Sequence, residues 1–234
     1  MSQVANKQIL EPGALEELIK MALDEAKSQG VDQAEAAASH DAGLSVTARF
    51  GDVENLEYTN DRGVWVTVYR DSRKGSASTS DFSPAAIREA VTKACSFANF
   101  TAADPYSGLA DADLMCTELP DLDLDHPWDI DAERAIELAV SCEAAGLELD
   151  KRIHNTEGAT VSSNRGVRAY GNSHGFVGGF TKTSHSLTCV LLGEQDGVMQ
   201  RDYYYTAARD ASELEPARDV GLEAGRRTLG RLGA

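Results

Sequence analysis

Val64, Val66 and Val68 alternate with Trp65, Thr67 and Tyr69, and Leu44, Val46 and Ala48 alternate with Ser45, Thr47 and Arg49. A period of two places the apolar residues on one face of a strand, so a sheet built from these runs needs something to cover that face. Turn-forming residues punctuate the runs. Phe50-Gly51-Asp52 falls between the first two strands, Asn60-Asp61-Arg62-Gly63 precedes the third, and Asp71-Ser72-Arg73-Lys74-Gly75 precedes a fourth. Antiparallel hairpins are the natural reading.

The cover is written at helical period. From about Pro12 to Gly30, Leu15, Leu18, Ile19, Ala22, Leu23 and Ala26 recur on one helix face. Ser83-Pro84 is a side-chain cap followed by proline at the first helical position, and Ile87, Ala90, Val91, Ala94 and Ala98 form the buried stripe of a helix over 83–98. A third helix over 131–149 packs through Ile136, Ala139, Val140, Ala144 and Leu147, a second β-rich region spans roughly Ala159 to Thr206, and a fourth helix is predicted over 213–231. The fold class is therefore α+β, with mainly antiparallel sheets flanked by helices.

The order of elements repeats, which suggests two helix–sheet–helix units over 9–100 and 131–234 joined by an acidic connector over 101–130. Asp61-Arg62-Gly63-Val64 and Asn164-Arg165-Gly166-Val167 occupy matching places, each as a turn leading into a strand. So short a match is equally well explained by chance, and the duplication stays open.

Charge and composition exclude several classes of function. The formal net charge is −16, and residues 101–150 hold fourteen acidic side chains against a single arginine, Arg134. Such a surface repels phosphate backbones, so direct nucleic-acid binding is not expected. No apolar run is long enough to span a bilayer, and the N-terminus MSQVANKQILEPG lacks the basic-then-apolar pattern of a leader, so no membrane partner and a cytoplasmic location are predicted. The cysteines, Cys95, Cys116, Cys142 and Cys189, form no C-x-x-C pair and read as reduced, mostly buried thiols.

No catalytic or metal-binding residue emerges from the motifs. A zinc peptidase most economically uses H-E-x-x-H, which sets two imidazoles on one helix face and a glutamate beside the activated water. The five histidines, His40, His126, His154, His174 and His185, have no such spacing; His174 and His185 could meet across a hairpin, but no third ligand accompanies them. Asp121-Leu122-Asp123-Leu124-Asp125 imitates the start of a calcium loop, but His126 stands where glycine is needed and Ala132 where a bidentate glutamate is needed. It reads as a solvated loop with Asp129 or Asp131 capping the next helix. The run Gly171–Gly179 lacks the lysine of a phosphate loop and reads as a tight turn with close strand packing. Residue types alone leave a Ser–His–Asp nucleophile open, although no G-x-S-x-G elbow is present. Exposed strand edges offer another kind of function, because an edge can take up an extended peptide through backbone hydrogen bonds that are largely blind to sequence. Which residues would line such a peptide site is not written in the motifs.

The segments RGVWVTVYRDSRKGSASTSDFSPAAIREAV, DPYSGLAD, DLDLDHPWDI, DKRIHNTEGA, YGNSHGF and RDYYYT occur in the order and approximate spacing of the TldD/PmbA family. From about Ile9 to the last residue the chain resembles the N-terminal half of its PmbA/TldE branch, whose members are also described as modulators of DNA gyrase. The resemblance implies a two-domain protein about twice this length, the zinc-less subunit of a heteromeric TldD/TldE metalloprotease that handles unfolded peptides, including microcin precursors and antitoxins. The implied partner is a TldD-like subunit. Zinc, held by H-E-x-x-x-H and a later cysteine, belongs to that partner, so no cofactor is expected in this chain and no catalytic residue carries over. The ending RRTLGRLGA resembles a mid-protein helix, as in a truncated chain, a degradation product or a split gene. A stand-alone peptide-binding module, a truncated inactive fragment and a hydrolase with an unrecognised site are the other readings.

Overall fold

The computed structural model describes residues 9–233, so Met1–Gln8, most of the stretch read above for a leader pattern, lie outside the described residues. The elements run α1 (Pro12–Ser28), β1 (Gln33–Arg49), β2 (Asp52–Arg70), β3 (Arg73–Thr79), α2 (Pro84–Ala98), α3 (Ala132–Leu147), β4 (Ile153–Asn172), β5 (Val177–Gln195), β6 (Val198–Ala208) and α4 (Ala217–Gly230). The six strands form an antiparallel sheet in the order β3-β2-β1-β4-β5-β6, and the fold is α+β. Helices occupy all four predicted spans, but α4 begins at Ala217 and not at 213, and α3 buries Ala135, Ala139, Cys142 and Glu143, while Ile136, Val140, Ala144 and Leu147 of its predicted stripe are only partly buried. The connector contains a single 3₁₀ turn at Ala112–Leu114 and no other helix or strand.

Two-residue hairpins join several strands. Phe50-Gly51, Asp71-Ser72 and Asp196-Gly197 all have both central residues at positive φ (51° and 79°, 51° and 58°, 54° and 78°), the backbone that matches the right-handed twist of the flanking strands. Across them Arg70 pairs with Arg73 and Gln195 with Val198.

The chain divides into two compact units. The first comprises 1–41, 60–123 and 166–181. Its core joins Leu15, Ile19, Ala22 and Ala26 of α1, Ile87, Val91 and Ala94 of α2, and Val64, Val66 and Val68 of β2, all at most 1% exposed. Ser83 caps α2 by accepting from the Ala86 N–H, with Pro84 in the first turn. At Gly75 of β3 an added Cβ would stand 2.0 Å from the Ala94 carbonyl oxygen, so the strand meets α2 backbone to backbone.

The second unit comprises 42–59, 124–165 and 182–234. Its core gathers Leu44, Val46 and Ala48 of β1, Ala135, Ala139 and Cys142 of α3, Val161 of β4, Leu187, Cys189 and Leu191 of β5, and Val220 and Ala224 of α4. Asp131 caps α3 through the Arg134 N–H at 2.8 Å, as its position before the helix predicts. Helices α3 and α4 cross on glycine: a Cβ at Gly221 would lie 1.9 Å from the Cys142 carbonyl oxygen, and one at Gly146 2.7 Å from that of Gly221.

Two predicted turns are strand interior instead. Asn60–Gly63 runs within β2 and Asn164–Gly166 within β4. The glycines there make room for side chains. The Trp65 ring comes within 2.8 Å of where a Gly63 Cβ would be, Asp41 within 2.2 Å at Gly166, and Asn164 itself fills the space left by Gly43. The polar residues of 60–62 are exposed strand, because β3 pairs with β2 only from Val64 onward.

Candidate functional site

Strand pairing leaves two open edges in the second unit. The register of β3 ends at Val64 opposite Thr79, so over Asp52–Thr59 β2 has β1 on one side and, among the described residues, no strand on the other. Every residue from Phe50 to Tyr58 is exposed, including Phe50, Val53, Leu56 and Tyr58. Asp52, Glu54 and Glu57 give this edge a negative charge, relieved among the described residues only at Glu54, which meets Arg49 at 3.2 Å. The opposite end of the sheet is β6. Asp202 and Thr206 point inward and are buried, while Tyr203 and Tyr205 stack outward with ring centroids 6.3 Å apart and Val198 and Met199 stand exposed beside the turn. Burial works against the Asp202 charge, but the Tyr203 N–H, Arg227 at 3.3 Å and Arg231 at 3.5 Å hold its carboxyl below the usual range.

The β2 edge is braced from behind. Glu143 of α3, 1% exposed, accepts from the Phe50 and Gly51 N–H groups, both at 2.9 Å, so one carboxylate satisfies both donors of the hairpin turn. A comparable clamp lies in the first unit, where Tyr69 and Tyr170 each donate a 2.9 Å hydrogen bond to Glu35. Burial, with the Glu35 bond behind it, pushes the Tyr69 hydroxyl up to about 12.

The histidines are individually engaged. His40 accepts from the Leu10 N–H at 3.2 Å and donates to Asn60 at 2.6 Å, His154 donates to the Arg152 carbonyl, and His174 donates to the Ala110 carbonyl. His174 and His185 belong to different units and have different partners. The neighbour of His185 is instead His126, whose carbonyl oxygen accepts from Nε2 at 3.0 Å. That leaves Nδ1 to accept from the Ser163 hydroxyl at 3.0 Å, while Trp128 packs edge-on at 5.4 Å. A serine on an imidazole has the makings of a nucleophile, but this ring is 1% exposed and is backed by a carbonyl where a triad places a carboxylate. It is a satisfied buried histidine.

Thr183, also 1% exposed, completes the same function: its hydroxyl lies 3.1 Å from the Leu124 carbonyl and 2.8 Å from that of Arg209, and accepts from the His126 N–H at 3.0 Å. Together they fasten the 124–128 segment to β5. Asp125 is likewise fixed, by a two-pronged bond from Arg165 at 2.7 and 2.8 Å, and so departs from the solvated acidic loop read from sequence.

Among the described residues no group of three or more His, Cys, Asp or Glu side chains could hold a metal ion. Among the described residues the imidazoles are separately bonded and Cys95, Cys142 and Cys189 are buried in the helix–sheet cores.

The central-domain model of the PmbA/TldA metallopeptidases matches residues 125–232, and the model of their domain 1 matches residues 34–98. Metalloprotease PmbA of Escherichia coli O157:H7 is 46% identical over 218 residues, which cover 93% of this chain and 48% of that protein. The chain belongs to the TldD/PmbA family. A PmbA homologue from Haemophilus influenzae is 40% identical over the same shares of both chains. The fold is also that of a Bacteroides thetaiotaomicron protein described as a candidate modulator of DNA gyrase (TM-score 0.84, 23% identity, 93% of this chain and 50% of that one). TldE from Thermococcus kodakarensis shares it as well (0.64, 16%, 92% and 47%). The chain spans about half the length of the curated relatives it matches. No described helix of this family member is long and apolar enough to cross a membrane.

Proposed function

We propose that this chain is the non-catalytic, peptide-holding part of a cytoplasmic TldD/PmbA-type metalloprotease. In this reading it works in a heteromeric complex with a TldD-like subunit that carries the zinc. The carrying observation is the open edge of β2 over Asp52–Thr59, which among the described residues has a strand on one side only and whose residues from Asp52 to Tyr58 are all exposed. An extended polypeptide that lacks its own partners gains a full ladder of backbone bonds by joining such an edge. This suits unfolded substrates of varied sequence, such as the microcin precursors and antitoxins that the proposal takes as its substrates. The metal is assigned to the partner on the family resemblance; among the described residues no group of three or more His, Cys, Asp or Glu side chains could hold a metal ion.

The alternative, a stand-alone peptide-binding module, uses the same edges without a partner. Co-purification from the native cell separates the two. A TldD-like subunit accompanying the chain, with zinc in proportion to that subunit, is expected; recovery of the chain alone with bound peptide supports the module, and about one zinc per isolated chain overturns the metal assignment.

A further inference from the structure

The β2 edge carries more information than an open row of backbone groups. Along a strand, side chains alternate between faces, so Asp52, Glu54, Leu56 and Tyr58 share one face and Val53, Asn55, Glu57 and Thr59 the other. On the first face two carboxylates are followed by two large apolar groups, and both of the latter are exposed. Asp52 and Glu57 have no ion-pair partner among the described residues, and Glu54 has only the surface pair with Arg49. A net charge of −16 for the whole chain adds a field of the same sign. Glu143 holds the hairpin turn at the end of this edge, so the charged and apolar positions are presented on a braced support.

We infer that the Asp52–Thr59 edge selects basic–apolar polypeptide segments, docked as an antiparallel strand. The inference rests on the strand-edge reading above and names the substrate class for it. An antiparallel strand opposite this face meets Tyr58 first, then Leu56, Glu54 and Asp52. The preferred segment therefore reads, from its N-terminus, apolar–x–apolar–x–basic–x–basic, with a further basic residue on its other face opposite Glu57. Cross-strand pairs of opposite charge and of apolar groups are the units that stabilise such a junction, and like charges opposite one another oppose it. An acidic segment of the same length meets two facing carboxylates and is rejected. Edge carboxylates also serve in many sheets merely to keep other strands away, and that role predicts a different result in the same experiment.

The test uses fluorescein-labelled nonapeptides and the intact 234-residue chain, with binding read by fluorescence anisotropy at low and high salt. One peptide carries leucines and lysines in the stated order, a second carries glutamates in place of the lysines, a third has the order reversed and a fourth has glutamines. The first binds best, its affinity falls with salt, and the Asp52→Lys/Glu57→Lys double variant weakens it roughly tenfold, each exposed ion pair contributing up to about fivefold. The same variant improves binding of the glutamate peptide, an inversion that unfolding of the chain would not produce. Equal binding of all four peptides, unchanged in the variant, overturns the charge selection while leaving strand addition standing. Binding of none overturns both and assigns the carboxylates to edge protection.

Discussion

Replacing Gly221 by alanine tests the packing of the second unit most severely. The added Cβ would stand 1.9 Å from the Cys142 carbonyl oxygen, 2.9 Å from its carbonyl carbon and 3.3 Å from the Gly146 nitrogen. All three are backbone atoms of α3, so no flexible side chain can swing aside, and the helix pair must separate by roughly 1 Å or more to restore an ordinary contact distance. Overpacking a tight core costs about 1–3 kcal/mol and occasionally more, and rigid backbone on both sides puts this site at the upper end. Alanine's better helix propensity returns about 1 kcal/mol. A net loss of about 2 kcal/mol or more remains, which lowers the melting temperature by roughly 4–8 °C in a chain of this size.

Gly230→Ala at the other end of α4 is the control. Nothing lies within 4 Å of its added Cβ, so only the propensity gain acts and the melting temperature is expected to hold or rise slightly. Thermal unfolding followed by circular dichroism compares the pair. Equal melting temperatures for Gly221→Ala and the parent chain would refute the close helix crossing.

Other positions give independent checks. Glu143→Gln leaves an amide N–H₂ facing one of two backbone donors, so a loss of about 2–4 kcal/mol is expected in urea unfolding, with faster amide exchange at Phe50 and Gly51; unchanged exchange would show that the carboxylate does not hold the turn. Of the four thiols only Cys116 is exposed, while the hydrogen bond with Cys189 and burial raise the Cys142 thiol and burial raises that of Cys95. A thiol-reactive dye should therefore find one fast site in the native chain, absent in Cys116→Ser, and four in denaturant. Because the folded state holds the Tyr69 proton up to about 12, against an ordinary value of about 10, its contribution is full below pH 10 and is lost as the pH rises toward 12. Over that window the parent chain should lose more stability than Tyr69→Phe, and parallel losses would contradict the clamp on Glu35.

Helices α1 and α2 were legible because each carries a 3.6-residue apolar stripe, and Ser83-Pro84 before α2 and Asp131 before α3 are caps that the structure uses as such. The hairpins at Phe50-Gly51 and Asp71-Ser72 were legible for the same local reason. What misled the reading at Asn60–Gly63 was that a solvent-exposed strand edge and a turn draw on the same residues, and only the length of a neighbouring strand, β3, tells them apart. Long-range partners left no local trace. Nothing near Glu143 in sequence points to a hairpin ninety residues earlier, and nothing near His185 points to the carbonyl of His126. The candidate site was foreseen as a kind, an open strand edge, but its place in β2 depends on where β3 stops.

Cleavage of an unfolded protein substrate, measured for this chain alone, for a TldD-like subunit alone and for the two together with zinc present, tests the central claim most directly. Hydrolysis near neutral pH needs an activated water or nucleophile and a stabilised oxyanion, which the proposal assigns to the partner. The account expects no cleavage by the chain alone and an increase in the partner's rate when the chain is added; chelator-insensitive cleavage by the highly purified chain alone would contradict it.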